Sequence, residues 1–254
     1  MLRGSDDNLV ILQELFGFWA DRIRQAKGNY LCYDCETTGL SKKEDLIWQL
    51  GQCFASHGYI SGYRQYCLNW FDCAAINPHW LNGRIEEHKK HMHEAGKETG
   101  CSARKLRNGM RPEVVLRSFM DTFDGVQKLK GLIVGHNIVR YDNIMFANNV
   151  QRCLNVDYRF QEDCVLDTGA FVKAYQIGEL PKAGESLLGF CSRILNNTYA
   201  PGVYYSLDTF CLEHFKLQEL FGVNKARMHS AGYDAMVTQL LFQELLRESR
   251  ILCE

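Results

Sequence analysis

The sequence predicts an α/β protein in which a sheet is flanked by helices, and three observations predict it. Short apolar runs, Tyr30-Leu31-Cys32-Tyr33 and Gly131-Leu132-Ile133-Val134-Gly135, end in polar residues and are too short for helices. Longer stretches with apolar residues at helical spacing lie between and after them. Two strand-like segments, 46–57 and 60–70, follow the first run, with Gly58 and Gly62 in or near the turn between them.

The bulk numbers fit one domain spanning 1–254. With 46% hydrophobic and 23% charged residues, a chain of this length can bury one full core or a core with an appendage. No apolar run approaches the length of a membrane span. Met1-Leu2-Arg3-Gly4-Ser5-Asp6-Asp7 is acidic where a secretory signal would be basic and then apolar. An intracellular protein, cytoplasmic or nuclear, is therefore expected, and its eleven scattered cysteines read as reduced thiols. The net charge of −1 lacks the basic excess of many nucleic-acid binders. The exception is local: Arg104, Lys105, Arg107 and Arg111 lie close together with no acid among them.

In chain order, residues 8–27 read as one amphipathic helix capped by Asn8, with Leu9, Leu12, Leu15, Phe16, Trp19 and Ile23 near helical spacing. Strand one, 29–35, contains Cys32-Tyr33-Asp34-Cys35. Residues three apart in a strand point to opposite faces, so this C-x-x-C is read as two core thiols rather than a redox or zinc motif. Strand one and the two segments after it make a meander. The stretch 72–111 reads as a polar helix plus loop. Its His88, His91 and Cys101 are zinc-ligand candidates in type, but their spacing matches no common zinc pairing. Pro112 opens a helix with Val114, Val115, Leu116, Phe119, Met120 and Phe123 on its apolar side. The run 131–135 is a buried strand, followed by a helix at 142–150. Residues 162–166 form another strand, and Asp167-Thr168 caps a helix at 168–176. Helices follow at 185–195, 206–217 and 230–249, the last with Ser230 as its cap.

The chemistry starts at Tyr33-Asp34-Cys35-Glu36-Thr37-Thr38-Gly39-Leu40. Asp34 and Glu36, two apart on a strand, stand side by side on one face. Adjacent carboxylates repel unless a cation lies between them, and Mg²⁺ prefers such oxygen ligands. Asp142, at a strand-to-helix junction, reads either as a third acid of a site or as a helix cap. His229 and Asp234 flank the start of the last helix. Four carboxylates suit a two-metal phosphodiesterase centre, in which two cations about 4 Å apart clamp the attacking and leaving oxygens. A nearby histidine suits proton removal from the attacking water.

These residues carry a resemblance. Asp34-x-Glu36-Thr37-Thr38-Gly39-Leu40, His136-Asn137 to Tyr141-Asp142, and His229-Ser230-Ala231-Gly232-Tyr233-Asp234 resemble the three motifs of the DnaQ-like, DEDDh 3′→5′ exonucleases. The match covers about 29–250. Its motif spacing, with Tyr205-Ser206-Leu207, is similar to that of the three-prime repair exonucleases of animals, while 178–204 and part of 72–111 look like insertions.

The resemblance implies an RNase H-like fold, a mixed five-stranded sheet flanked by helices. It implies two Mg²⁺ ions, for which Mn²⁺ can substitute. Asp34, Glu36 and Asp234 would hold the catalytic ion, Asp34 would bridge to the second, and Asp142 would act on the second through water. His229 would be the general base. Thr37, Thr38 and Leu40 would line the pocket of the 3′-terminal nucleotide, with His136, Asn137 and Tyr141 shaping it from the other side. The substrate would be nucleic acid with a free 3′ end, preferentially single-stranded DNA or RNA, cleaved to nucleoside 5′-monophosphates. A homodimer joined at a sheet edge is also implied. Two other readings keep the fold: a non-catalytic nucleic-acid-binding or scaffold protein, and a proofreading subunit of a polymerase.

Overall fold

The computed structural model describes residues 5–56, 59–94 and 100–251. Its centre is a five-stranded sheet in the order β3-β2-β1-β4-β5. The strands are β1 (Tyr30–Thr37), β2 (Ile47–Ser56), β3 (Tyr59–Cys67), β4 (Leu132–Gly135) and β5 (Val165–Asp167). β1 pairs antiparallel with β2, which pairs antiparallel with β3. β1 and β4 are parallel, as are β4 and β5. The sheet is therefore the mixed five-stranded one expected, with β1 at its centre. Gly58 and Met1–Gly4 lie outside the described residues.

The helices in order are α1 (Ser5–Phe18), α2 (Ala20–Gln25), α3 (Pro78–Glu94), α4 (Ala103–Arg107), α5 (Pro112–Lys128), α6 (Asp142–Leu154), α7 (Thr168–Ile177), α8 (Leu187–Ser192), α9 (Leu212–His214), α10 (Leu217–Phe221) and α11 (Ala231–Glu248). α11, α1 and α7 cover one face of the sheet, and α5 and α6 the other. The alternation of β1 assigns its side chains accordingly. Tyr30 packs edge-on to Phe242 of α11, and the Cys32 thiol donates to Gln239 Oε1 of α11 at 3.0 Å. Tyr33 points the other way, onto Phe123 of α5, and its hydroxyl donates to Asn143 of α6. An aromatic cluster of Phe119, Phe123, Phe146, Tyr158 and Phe160 fills that second layer. Cys32 and Cys35 are both buried and unlinked, as the strand period required.

Several boundaries differ from those expected: β3 ends at Cys67 rather than 70 and α6 runs on to Leu154 rather than 150. The N-terminal helix starts at Ser5, so Asn8 lies inside it, and it breaks at Trp19. The turn tightens there through a Trp19 N–H to Phe16 carbonyl bond, and the Trp19 ring packs against Phe190 of α8. Residues 162–164 form a 3-10 turn, and β5 starts only at Val165. The helix of 185–195 is α8 continued by a π turn over Arg193–Asn197, whose wide last turn is pinned by Lys173 Nζ donating to the Ile194 and Thr198 carbonyls at 2.8 Å. The helix of 206–217 is a π turn over Leu207–Cys211, then α9, and a break at Lys216 in the left-handed region before α10. No helix among the described residues is long and apolar enough to cross a membrane.

Candidate active site

β1, β4 and β5 run parallel, so their carboxyl ends lie together, the usual place for a site in such sheets. Every residue of β1 is buried except Asp34 and Glu36, which are half-buried on the α11 face. α11 is brought against this strand end by a close approach. Gly51 pairs with Asp34 across the sheet, and a Cβ on it would lie 2.0 Å from the carbonyl carbon of Ala231. Only glycine admits the start of α11 there. Side chains from β2 and β3 then tie it down. The Ala231 N–H donates to Gln49 Oε1 at 2.9 Å, and the Ser230 hydroxyl donates to Gln65 Oε1 at 2.7 Å. Ser230 occupies the cap position, but its side chain makes this sheet contact and no capping bond.

Asp234 reaches back instead: its Oδ2 accepts the His229 N–H at 3.0 Å. His229 itself is left-handed, with φ of 65°. This places His229 and Asp234 beside Glu36, and one donor atom from each of the three lies within 4.8 Å of the others. Asp142 approaches from the α6 side. It is the first residue of α6, and its Oδ1 accepts the Cys35 N–H at 2.9 Å, so it bridges to the strand rather than capping its own helix. The four acids thus surround the end of β1 from both faces.

Burial and mutual repulsion disfavour the ionised forms of all four acids. Burial pushes Glu36 up to about 8, with Asp234 and Asp142 adding repulsion. Burial raises Asp234 to about 7 and Asp142 to about 6. Asp34 is raised well above the carboxylate range by burial, then by Asp142, Asp234 and Glu36. Asp234 Oδ1 is buried with no hydrogen-bond partner. An orphaned carboxylate oxygen among three other acids fits a hard divalent cation, whose ligands are oxygens.

A pocket of about 560 Å³ opens beside this centre. One wall is the β1 end and the loop after it, from Cys35 to Ser41. Tyr141 and His229 also line it, as do Arg84, His88 and His91 of α3. Thr37 and Tyr141 meet through their hydroxyls at 2.8 Å, and the Tyr141 hydroxyl contacts the Gly39 carbonyl at 2.6 Å. Leu40 is 88% exposed and projects at the rim. Thr38 is buried, with its hydroxyl donating to Asp45 Oδ1 at 3.0 Å, so it reaches the pocket less freely than Thr37.

His136 and Asn137 stand apart from the pocket wall. His136 is buried: its Nε2 donates to the Tyr205 carbonyl at 2.6 Å, and Nδ1 faces the Thr168 hydroxyl at 3.0 Å. Burial lowers it to about 4, so it is neutral. Asn137, at φ of 65°, and Val139 each donate a backbone N–H to the Asp167 carboxylate at 2.9 Å. Asp167 also caps α7, as the sequence indicated. These residues fix the loop that delivers Tyr141 and Asp142.

Several residues at the site escaped the sequence reading. Asp45 is buried against the pocket and pairs with Arg84 at 2.5 Å. Arg84, His88 and His91 share a helix face by their spacing of four and three, a signal that was present. Leu81 and Ile85 bury the other side of α3 and turn that face to the pocket. His88, His91 and Cys101 form no common ligand cluster among the described residues. Asp208, in the π turn 207–211, lies 3.7 Å from His229 Nε2.

No protein-family model matches the sequence, and no curated protein is similar to it in sequence. Solved structures are similar in fold. Exonuclease I of E. coli, in a zinc-bound complex with single-stranded DNA, superposes with a TM-score of 0.56 at 16% identity, over 88% of this chain and 42% of that one. The same enzyme with a dA16 oligonucleotide gives 0.55 at 15% identity, over 88% and 42%. Exonuclease I from Methylocaldum szegediense gives 0.53 at 16% identity, over 87% and 40%. The chain therefore spans less than half the length of those proteins. The fold it shares with them is the RNase H-like one, a mixed five-stranded sheet flanked by helices.

Proposed function

We propose that this protein is a metal-dependent 3′→5′ exonuclease acting on single-stranded nucleic acid. The observation that carries the reading is the meeting of Glu36, His229 and Asp234 within 4.8 Å, with Asp34 and Asp142 in electrostatic contact with them, beside an open pocket. The shared fold with exonuclease I supports it, as does the presence of all four acids, which a purely binding or scaffold role would not need.

Asp34, Glu36, Asp142 and Asp234 would hold two divalent cations, Mg²⁺ with Mn²⁺ as a substitute. When bound, the ions supply charge stabilisation for the attacking and leaving oxygens of an in-line displacement. The chain's own groups do the rest. The 3′-terminal nucleotide would enter the pocket between Leu40 and the α3 wall, its 3′-hydroxyl held by the backbone after Glu36. Thr37 and Tyr141, locked to each other and to Gly39, keep that loop in place. His229 would take the proton of the attacking water on its imidazole, and Asp208 at 3.7 Å would orient the ring. The product would be a nucleoside 5′-monophosphate.

The test is parallel digestion of end-labelled single-stranded DNA, single-stranded RNA and duplexes with Mg²⁺, with chelator, and with Asp34→Ala. Stepwise shortening from the 3′ end that disappears in chelator and in the variant is the expected result. Full cleavage by Asp34→Ala protein would overturn the reading.

A further inference from the structure

A second cluster of metal-type donors lies away from the acids. Cys73 follows the 3-10 turn Trp70–Asp72, Glu113 sits in the first turn of α5, and Cys153 in the last turn of α6. One donor atom from each of the three lies within 4.8 Å of the others. The two Sγ atoms are 3.9 Å apart. Ligands at about 2.3 Å from a tetrahedral zinc stand roughly 3.8 Å from one another, so the sulfurs already sit at the length of a coordination edge. Glu113 Oε2 is buried without a hydrogen-bond partner; the nearest cation, Nε of the exposed Arg111, is 3.5 Å away.

We propose that Cys73, Glu113 and Cys153 form a binding site for a zinc-type divalent cation, with the fourth position taken by solvent. Donor chemistry separates it from the acid centre, because thiolates select soft or borderline metals where carboxylates alone suit Mg²⁺. On binding, each thiol gives up its proton to solvent, and the dication meets two thiolates and a carboxylate. The residual negative charge is offset nearby. Arg117 acts on Cys153, Arg152 is within electrostatic reach of Cys73, and Arg111 pairs with Glu113. The ion would tie the segment after β3 to the ends of α5 and α6. Cys153 is at the far end of α6 from Asp142, about 16 Å along the helix at 1.5 Å per residue, so the site is distinct and does not depend on the proposed activity.

Cobalt titration of the full, phosphine-reduced, metal-stripped chain tests this. Thiolate ligands give Co²⁺ a near-ultraviolet charge-transfer band that oxygen and imidazole ligands do not. The expected result is a band saturating at one equivalent, displaced by Zn²⁺, kept in Asp34→Asn, and lost in Cys73→Ser and in Cys153→Ser. Glu113→Gln should keep the band but weaken Co²⁺ binding by at least the ~10-fold that loss of even an outer-sphere partner causes. If the serine variants do not fold, unchanged affinity in Glu113→Gln overturns the site. So does a wild-type protein without the band, or a band that survives in a folded Cys73→Ser/Cys153→Ser protein. Ready closure of a Cys73–Cys153 disulfide that saturating Zn²⁺ fails to block would instead mark the pair as a redox couple and overturn the metal assignment.

Discussion

Nε2 of His229 lies 3.7 Å from Oδ2 of Asp208, across the gap between the π turn 207–211 and the start of α11. His229 is half exposed and its backbone is left-handed. Removing the imidazole in His229→Ala should lower kcat by about 10²–10⁴-fold, the usual contribution of a general base. Asp208→Asn keeps the size of the side chain and removes only its charge. It should lower kcat by roughly tenfold while KM stays put, because it acts through His229 and not on substrate. Steady-state kinetics on a 3′-labelled single strand decide it, and an Asp208→Asn enzyme that changes only KM would remove the orienting role.

The acids at the end of β1 make stability depend on pH in an unusual direction. Glu36, Asp234 and Asp142 titrate above the ordinary carboxylate range because burial and mutual repulsion disfavour their ionised forms. Above the unfolded pKa the folded state then binds more protons than the unfolded one, so unfolding becomes easier as pH rises. In chelator, Tm should fall between about pH 5 and pH 8 as these groups are forced to ionise. Mg²⁺ or Mn²⁺ should restore it, and restore more at the upper end. Glu36→Gln should raise the Tm of the chelated protein at high pH. A chelated protein whose stability climbs over this window would contradict the arrangement.

How far the sequence alone reaches can be judged from particular residues. The placement of Asp34 beside Glu36 follows from strand period, and the separation of Cys32 from Cys35 follows from the same rule. The helix carrying Asp234 is evident from its apolar spacing. Asp45 has local partners in Thr38 and the Ser41 N–H, but its charge partner Arg84 lies 39 positions away and no local pattern announces it. Cys73 and Cys153 are 80 apart and share no motif. The break at Trp19, whose ring packs against Phe190 far along the chain, and the left-handed Lys216 before α10 have no mark in the helical spacing. His88 and His91 share one helix face by their spacing, but nothing local to 72–111 shows that this face turns to the pocket.

Arg84 joins the pocket wall to the buried Asp45, which also accepts from Thr38 and from the Ser41 N–H. Arg84→Ala would leave a buried carboxylate short of its charge partner. Loss of one member of such a pair should destabilise by about 2–4 kcal/mol, less than the deepest cases because Arg84 is itself partly exposed. The loop from Thr38 to Asp45 would loosen with it, so KM for the strand should rise. Denaturant unfolding and kinetics on the same preparation test both effects. Replacing Arg84 without loss of stability would mean that Asp45 is satisfied by Thr38 and Ser41 alone.

Gly51→Ala tests how the two halves of the acid centre are joined. Its new Cβ would fall 2.0 Å from Ala231 C and 2.1 Å from Gly232 N, both backbone atoms that cannot rotate away. Either the start of α11 lifts from β2, or β2 bends from β1 at the pair Gly51–Asp34. Both movements separate Asp234 and His229 from Asp34 and Glu36. The expected outcome is loss of cation binding by isothermal calorimetry and a stability loss above about 3 kcal/mol, since overpacking against fixed backbone exceeds the usual 1–3. Gly62, at φ of 86° with nothing within 4 Å of where a Cβ would sit, is the control: Gly62→Ala strains the backbone without touching α11.

The basic residues of α4, with Arg111 before α5, have a separate use if the substrate is a strand. Arg104, Lys105, Arg107 and Arg111 are exposed, and Lys105 and Arg107 stand over the Trp48 and Phe71 rings at 5.3 and 4.0 Å. Rings that hold cations at the surface reduce the freedom those side chains would lose on meeting phosphates. Each phosphate contact on a single strand should add about 0.7 to the slope of log affinity against log salt. Neutralising Arg104 and Arg111, which stand over no ring, should therefore weaken binding most at low salt and flatten the slope by up to about 1.4. Fluorescence anisotropy with a labelled oligonucleotide in Ca²⁺, across a salt series, measures both. An unchanged slope would place the strand's path elsewhere and leave α4 as a solvated surface.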